Sequence, residues 1–438
     1  MSSIPPIPPI SSIHTRPFSI TYIVRDPLPP LRADVAALFG AEMPRYGVLT
    51  ELVGQGGAAH GGPDGWGGGG MHIVGHLRHR FASLLAPLWD AFGLLRAWLR
   101  ARPDCIQVRD KVASALLALL VARLLRIPFI YWMSFPIVEG YEARRDALAG
   151  RRPARGWFVP RWLDLRWLSP RLLGHALRAF VSRRVVYRLV LPAADHVFVQ
   201  SAAMRDWLRT LGIARERMTP VPMGVDAAVF DRGAIVPSGD RRLAGRRVVL
   251  YLGHVAQSRQ SDFLLDVVLH LRRHEPEVLL VIVGDAPSLD EMMWMRTAIA
   301  ARCLGRHVLL TGWLPQATAL GYAVRAEVGL SPIPRGKLFD VSSPTKLVEY
   351  LALGVPGVAN DIPDQARIIE ESGAGLCVPM QAEAFAEATL RLLREPDLAA
   401  RCAARVPPWV KAHRTYDILA REVAHAYHCI LAPCGPGR

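Results

Sequence analysis

From Gly245 onward this chain alternates short β-branched runs with helical patterns, and that rhythm constrains its fold more than any other feature. "RVVLYLG" reads as a strand, "SDFLLDVVLHLRRH" as a helix, "EVLLVIVGD" as a strand and "SLDEMMWMRTAIAARC" as a helix. "HVLLTGW", "QATALGYAV" and "VGLSPI" continue the series, and the helix after Pro344, "GVPGVAN" and "AGLCVP" complete it. Strands apolar on both faces must be covered on both, so a parallel sheet wrapped by helices is predicted. The first half repeats the idea with "FSITYIV", "MHIVGH", "CIQVRD" and the helix after it, "IPFIYWMS", "HVFVQS" and "MTPVPMG". Two doubly wound, Rossmann-like α/β domains are therefore expected, at 17–228 and 240–405, with 406–438 as a helical tail and "DRGAIVPSGDRRLAG" as the linker. Between Gly54 and Gly70 the glycine-rich stretch bridges no clear strand and helix, so it reads as a surface loop rather than a dinucleotide fingerprint. Ligands of open α/β sheets bind beyond the carboxyl ends of the strands, and two such domains facing each other are expected to form a cleft.

At 438 residues, 51% hydrophobic and 21% charged, the chain can bury two cores. Its formal charge of +15 is partly local: twelve arginines between Tyr141 and Pro192 face only Glu142, Asp146 and Asp164, a net of +9. Trp157, Phe158, Trp162, Trp167 and Phe180 are interleaved with them, a mixture suited to an anionic membrane surface, or else an ordinary solvated arginine face. The apolar run "VASALLALLVARLLRIPFIYWM" is broken by Arg123, Arg126 and Pro128, too soon for a bilayer span, and reads as a buried helix and a strand. The Pro/Ser-rich start lacks the apolar core of a signal peptide, so a cytoplasmic location at the inner membrane face is expected. Cysteines 105, 303, 377, 402, 429 and 434 form no CxxC pair, which indicates neither a disulfide framework nor a zinc site.

The polar residues cluster at strand ends. "YLGHVAQSR" carries Gly253, His254 and Arg259; "VIVGDAP" carries Gly284 and Asp285; "TGW" carries Trp313; "SSPTKLVEYLALG" carries Ser343, Lys346 and Glu349. The last poses a question. With Ser343 read as N-cap and Pro344 as the first helical residue, Lys346 falls third, where the helix dipole and free N–H groups already carry positive charge. A cation there needs an anion: either Glu349 at i+3, or a bound phosphate.

At these spacings the motifs resemble the nucleotide-sugar domain of GT-B fold glycosyltransferases, the large retaining group numbered family 4. "YLGHVAQSR" puts His254 and Arg259 in the family's basic positions, "VGDAP", "TGW" and "EYLALGVPGVAND" match further motifs, and "ADHVFVQSAAMRDWLRTLGI" and "VPMGVD" look like the end of its N-terminal domain. Two departures stand out: Val341 occupies a position often held by glutamate, and "YWMSFP" offers Ser134 where many members carry histidine. The resemblance implies that Arg259 and Lys346 neutralise the donor diphosphate, that the turn from Ser343 presents N–H groups to it, and that Glu349 bonds the ribose. It also implies a front-face reaction without an enzyme nucleophile. No Asp-x-Asp motif occurs, so no metal and no cofactor are expected; the nucleotide-sugar is a co-substrate. Arg109 and Asp110, ending "CIQVRD", are candidates with Ser134 for the acceptor side, or else a local ion pair.

The expected activity is glycosyl transfer from a nucleotide-sugar to a sugar or lipid-linked acceptor at a membrane, in glycan assembly. A nucleotide-sugar epimerase of the same architecture is one alternative, and a non-catalytic basic membrane or nucleic-acid binding module another. No nucleic-acid motif is present.

Overall fold

The computed structural model describes residues 17–30, 32–57, 66–150 and 170–431. The chain divides into two compact units: one runs to Val221 and takes in the chain again from Ala420, and the other is Pro222–Leu419.

The first unit is a seven-stranded parallel sheet of β1 (Phe18–Ile23), β2 (Val48–Gly56), β3 (Met71–His76), β4 (Cys105–Arg109), β5 (Phe129–Met133), β6 (His196–Val199) and β7 (Met218–Pro220), in the order β3-β2-β1-β4-β5-β6-β7. Every residue of β4, β5 and β6 is buried, as a sheet covered on both faces requires. The second unit is a six-stranded parallel sheet of β8 (Arg247–Leu252), β9 (Val278–Val283), β10 (Val308–Gly312), β11 (Val328–Ser331), β12 (Gly357–Asn360) and β13 (Gly375–Val378), ordered β10-β9-β8-β11-β12-β13. Successive side chains of one strand feed opposite cores. Leu250, Val281 and Val283 pack with Leu347 and Val348, while Val249, Leu280 and Ile282 pack with Leu264, Val267 and Val268. Strand order reverses between β1 and β4 in the first sheet and between β8 and β11 in the second, and such reversals open the crevices in which doubly wound sheets bind ligands.

Several expectations change. Strand β2 and the helix Ala82–Arg100 were not anticipated. The glycine-rich stretch from Gly54 begins inside β2 and ends pinned to it: Thr50 N–H donates to the Gly68 carbonyl at 2.6 Å and Leu52 N–H to that of Gly70 at 2.8 Å. Residues 231–245, read as a linker, pack within the second unit, where Ser238 N–H donates to the Gly321 carbonyl at 2.9 Å and Tyr322 Oη to Asp240 at 2.7 Å. The stretch read as a helical tail continues the helix Pro396–His413 and then forms Tyr416–Leu431. Tyr427, in that last helix, donates a hydrogen bond to Gln107 of β4. Cysteines 105, 303, 377, 402 and 429 are free thiols, and Cys434 lies outside the described residues.

Candidate functional site

The helix Thr345–Ala352 forms because Leu347, Val348, Tyr350 and Leu351 bury one face, and it stops before Gly354, whose φ of +70° suits a residue without a side chain. It begins differently from the expectation. Pro344 holds the N-cap position with an extended ψ of 131°, no side chain caps the helix, and Lys346 is its second residue rather than its third. The hydroxyl of Ser343 is engaged elsewhere: it accepts from Met223 N–H at 3.0 Å and donates to Asp364 Oδ2 at 2.6 Å, beside a buried Arg414–Asp364 ion pair at 2.7 Å. A buried ion pair needs its remaining lone pairs satisfied, and that need takes the hydroxyl from the cap. The first-turn N–H groups are left without a side-chain cap.

Lys346 is buried, with Nζ 5.1 Å from the centroid of the Tyr251 ring, and no carboxylate lies within ion-pair distance among the described residues. The i,i+3 pair with Glu349 is therefore not formed. Glu349 is half-buried; burial pushes its carboxyl above the ordinary range and the charge of Lys346 opposes this. No described side chain donates a hydrogen bond to it, so it is open to a ligand hydroxyl.

The strand ends around the lysine fit closely. Gly253, at φ +138°, lies under Lys346, where a Cβ would come 2.7 Å from its Cε; Gly284, at φ +148°, would place a Cβ 2.2 Å from the Gly253 carbonyl oxygen. Only glycine lets the ends of β8 and β9 approach each other and the lysine this way. Tyr350 closes the switch point itself: its hydroxyl accepts from Leu252 N–H at 2.9 Å and donates to the Leu330 carbonyl at 3.1 Å, joining β8 to β11 where they part. His254 is exposed with Nδ1 3.3 Å from the Asp285 carbonyl, and the Asp285 carboxylate accepts from Ala286 N–H at 2.8 Å, a local turn. Arg259 ends a short 3-10 turn held at Gln257 N–H by Glu291 at 2.9 Å, and its half-buried guanidinium has no acidic partner among the described residues. Trp313 is half-exposed after Gly312, at the end of β10. The Lys346 ammonium thus stands over Gly253 in the first turn of a helix whose N–H groups have no side-chain cap, two features that each favour an anion.

The first unit also places charge at its switch point, with a different outcome. Arg109 ends β4 fully buried, 2.6 Å from Asp34, 3.2 Å from Asp26 and 3.9 Å from Asp110. Burial alone would raise the Asp34 carboxyl; Arg109 and Arg32 outweigh it and hold the group at about 2. Asp110, at φ +48°, accepts from Ser134 N–H at 3.0 Å and from the Ser134 hydroxyl, and burial raises its carboxyl. Of the two readings of Arg109, the structure shows the local ion pair: its guanidinium has no solvent exposure and is enclosed by aspartates. Asp26 and Asp34 follow β1, more than seventy residues from Arg109 in sequence, and only folding shows the pairing. Tyr251, Tyr350, Asp364 and Arg414 were also missed; the tyrosines sit beside recognised motif residues, yet read as core.

Two family models account for most of the chain: "Glycosyl transferases group 1" matches residues 246–395 and "Glycosyl transferase 4-like domain" matches 33–224. The chain belongs to the group 1 glycosyltransferases. This glycosyltransferase is 26% identical over 186 residues to alpha-D-kanosaminyltransferase of Streptomyces kanamyceticus, an alignment covering 42% of this chain and 46% of that protein. It is 28% identical over 251 residues to GDP-mannose-dependent alpha-(1-6)-phosphatidylinositol monomannoside mannosyltransferase of Mycobacterium tuberculosis, covering 56% and 64%. The chain thus spans about half to two-thirds of the length of these curated relatives. Sucrose-phosphate synthase from Thermosynechococcus elongatus shares the GT-B fold, with a TM-score of 0.68 at 16% identity over 95% of this chain and 99% of that one.

Proposed function

We propose that this glycosyltransferase moves a sugar from a nucleoside diphosphate donor to a lipid-linked saccharide or glycolipid acceptor, with Arg259, Lys346 and the start of the helix Thr345–Ala352 holding the diphosphate. The observation that carries the reading is Lys346: a buried cation at a helix start, at a topological switch point, with no carboxylate within ion-pair distance among the described residues. A bound diphosphate supplies the missing charge. Glu349 takes the ribose hydroxyls, and Gly253 and Gly284 give the ligand access to the backbone.

In the reaction the bond from the sugar C1 to the diphosphate oxygen breaks and its electron pair leaves with the phosphate. Arg259 and Lys346 stabilise the charge that develops there. The acceptor hydroxyl oxygen forms the new bond to C1 on the face that the phosphate leaves, and its proton passes to the departing phosphate, which retains the anomeric configuration. These cations do the electrostatic work that a metal does in other transferases, so turnover should persist in EDTA; dependence on added magnesium or manganese would overturn this part of the reading.

The lipid acceptor is supported by the mycobacterial relative, whose name specifies a phosphatidylinositol monomannoside, and by the basic segment Arg151–Arg188. Trp157, Trp162 and Trp167 lie outside the described residues, but Leu173, Leu177 and Phe180 are exposed, with the Arg184 guanidinium 4.6 Å above the Phe180 ring. No helix among the described residues is long and apolar enough to cross a membrane. The donor reading is tested by thermal shift with uridine, guanosine and adenosine diphosphates. One of them should raise the melting temperature far more than its nucleoside, since only the folded state binds it. No stabilisation by any of the three would refute a nucleoside diphosphate site.

A further inference from the structure

We propose that the outward face of the helix Ala82–Arg100 docks the protein on an anionic lipid bilayer, lying in the headgroup plane. The helix is apolar on two opposite sides. Asp90, Gly93, Leu94 and Ala97 face the sheet, where Lys111, at 2.8 Å, and the Ser114 hydroxyl satisfy Asp90. About half a turn away, at 3.6 residues per turn, Leu84 is 74% exposed, Leu88 66%, Phe92 57%, Leu95 51% and Leu99 71%. Their spacings of four, four, three and four residues draw one straight stripe, about 22 Å long at 1.5 Å per residue. A surface helix is expected to present polar groups there, and an exposed apolar strip of this size marks an interaction site.

The stripe continues sideways. Leu120, Leu124 and Leu125 of the neighbouring helix Ala113–Leu125 are also exposed, and the groove between the two helices, about 270 Å³, is walled by Leu94, Trp98, Val121 and Leu125. Arginines edge the apolar surface. The Arg80 guanidinium lies 4.7 Å above the Phe81 ring, that of Arg96 5.9 Å from Phe92, and that of Arg102 6.0 Å from Trp98. From Arg78 to Arg102 the sequence holds five arginines, and Asp90, already paired, is its sole acid.

Charge selects the occupant. A second copy would bring the same arginines face to face, whereas a bilayer with acidic headgroups offers an anionic plane above an apolar interior, matching cations beside a hydrophobic stripe. The inference rests on the glycosyltransferase reading only for its purpose, which is to bring the enzyme to a lipid-borne acceptor. Its test reads binding, not turnover.

The full chain is sedimented with vesicles of phosphatidylcholine alone and of an equal mixture with phosphatidylglycerol. Binding to the mixture, weakened by salt, is expected, with little to the neutral vesicles. The triple variant Leu84→Gln/Leu88→Gln/Leu99→Gln should fold, since all three side chains are exposed, and should lose about tenfold or more of its vesicle affinity. Arg80→Gln/Arg96→Gln/Arg102→Gln should lower affinity and flatten the salt dependence. Leucine-variant binding equal to the parent's overturns the proposal. So does a parent dimer, seen by light scattering, that the leucine variant dissolves, because the face then pairs two copies. A drop in melting temperature with vesicle binding unchanged overturns it too, because the stripe then packs against this chain. Calorimetric titration of the leucine variant with nucleoside diphosphate separates the two readings: donor affinity should stay at the parent value, and its absence in both proteins would count against the donor site alone.

Discussion

Each of the two sheets sets a cation at the point where its strand order reverses, and the two cations meet opposite fates. Arg109 is sealed among Asp26, Asp34 and Asp110 with no solvent exposure. Lys346 is nearly as deep, yet no carboxylate lies within ion-pair distance of its ammonium among the described residues. A buried charge neutralised by the protein itself stabilises the fold and has nothing left to give a ligand. One left without a counterion keeps its charge available to an anion. The comparison teaches that position in a doubly wound sheet nominates a residue, while its counterions decide whether it acts on a ligand or on the structure.

The difference can be broken most directly at Arg109. Replacing it with methionine takes the nearest cation from the buried carboxylates of Asp34 and Asp110, so Arg109→Met should lower the stability of the first unit by about 3–5 kcal/mol in chemical denaturation. Lys346→Met should change that of the second by less than about 1 kcal/mol. Similar losses in the two variants would erase the distinction.

Acid sharpens the same contrast. Asp34 ionises at about 2 in the folded protein against its ordinary 3.8, so its contribution to stability is complete above that ordinary value and disappears as pH falls from about 4 through about 2. Its size is about 2 kcal/mol, and an Asp34→Asn variant should show a correspondingly flatter acid limb in denaturation measured across that window. An unchanged limb would mean that Arg109 does not hold the carboxylate in its charged form.

At the other site, Lys346→Ala should weaken nucleoside diphosphate binding by about 10- to 100-fold in calorimetry while leaving nucleoside binding nearly intact. Equal losses for both ligands would remove the lysine from the phosphates. The smallest effect is expected at Glu349. Glu349→Gln should weaken nucleoside and diphosphate alike by about tenfold, through loss of charge-assisted bonds to the ribose, and undiminished nucleoside affinity would reassign the carboxylate.

The second sheet was legible strand by strand because a strand buried on both faces reads as an unbroken apolar run, as in "VLLVIV". Strand β2, "VLTELVGQG", mixes polar residues and glycine and runs into a glycine-rich stretch, which hides its end. The helix Ala82–Arg100 was missed for a related reason: with apolar residues on both sides and Pro87 and Gly93 within it, its sequence has no single face to mark it. In the candidate site, the glycines and basic residues at the strand ends were readable from local spacing. Ser343 was placed correctly in the chain but given the wrong bond, because Asp364 and Arg414, which determine its partner, come from distant segments.

By itself the sequence determined the alternation of strands and helices, the two parallel sheets that follow from it, and which strand ends carry glycine, lysine, arginine and glutamate. These depend on periodicity and on neighbours within a few residues, interactions that any short window contains. Only the tertiary structure decided which cation is neutralised. Asp26 and Asp34 reach Arg109 across more than seventy residues, while no carboxylate reaches Lys346 among the described residues, and electrostatic pairing depends on distance in space, which chain separation does not reveal.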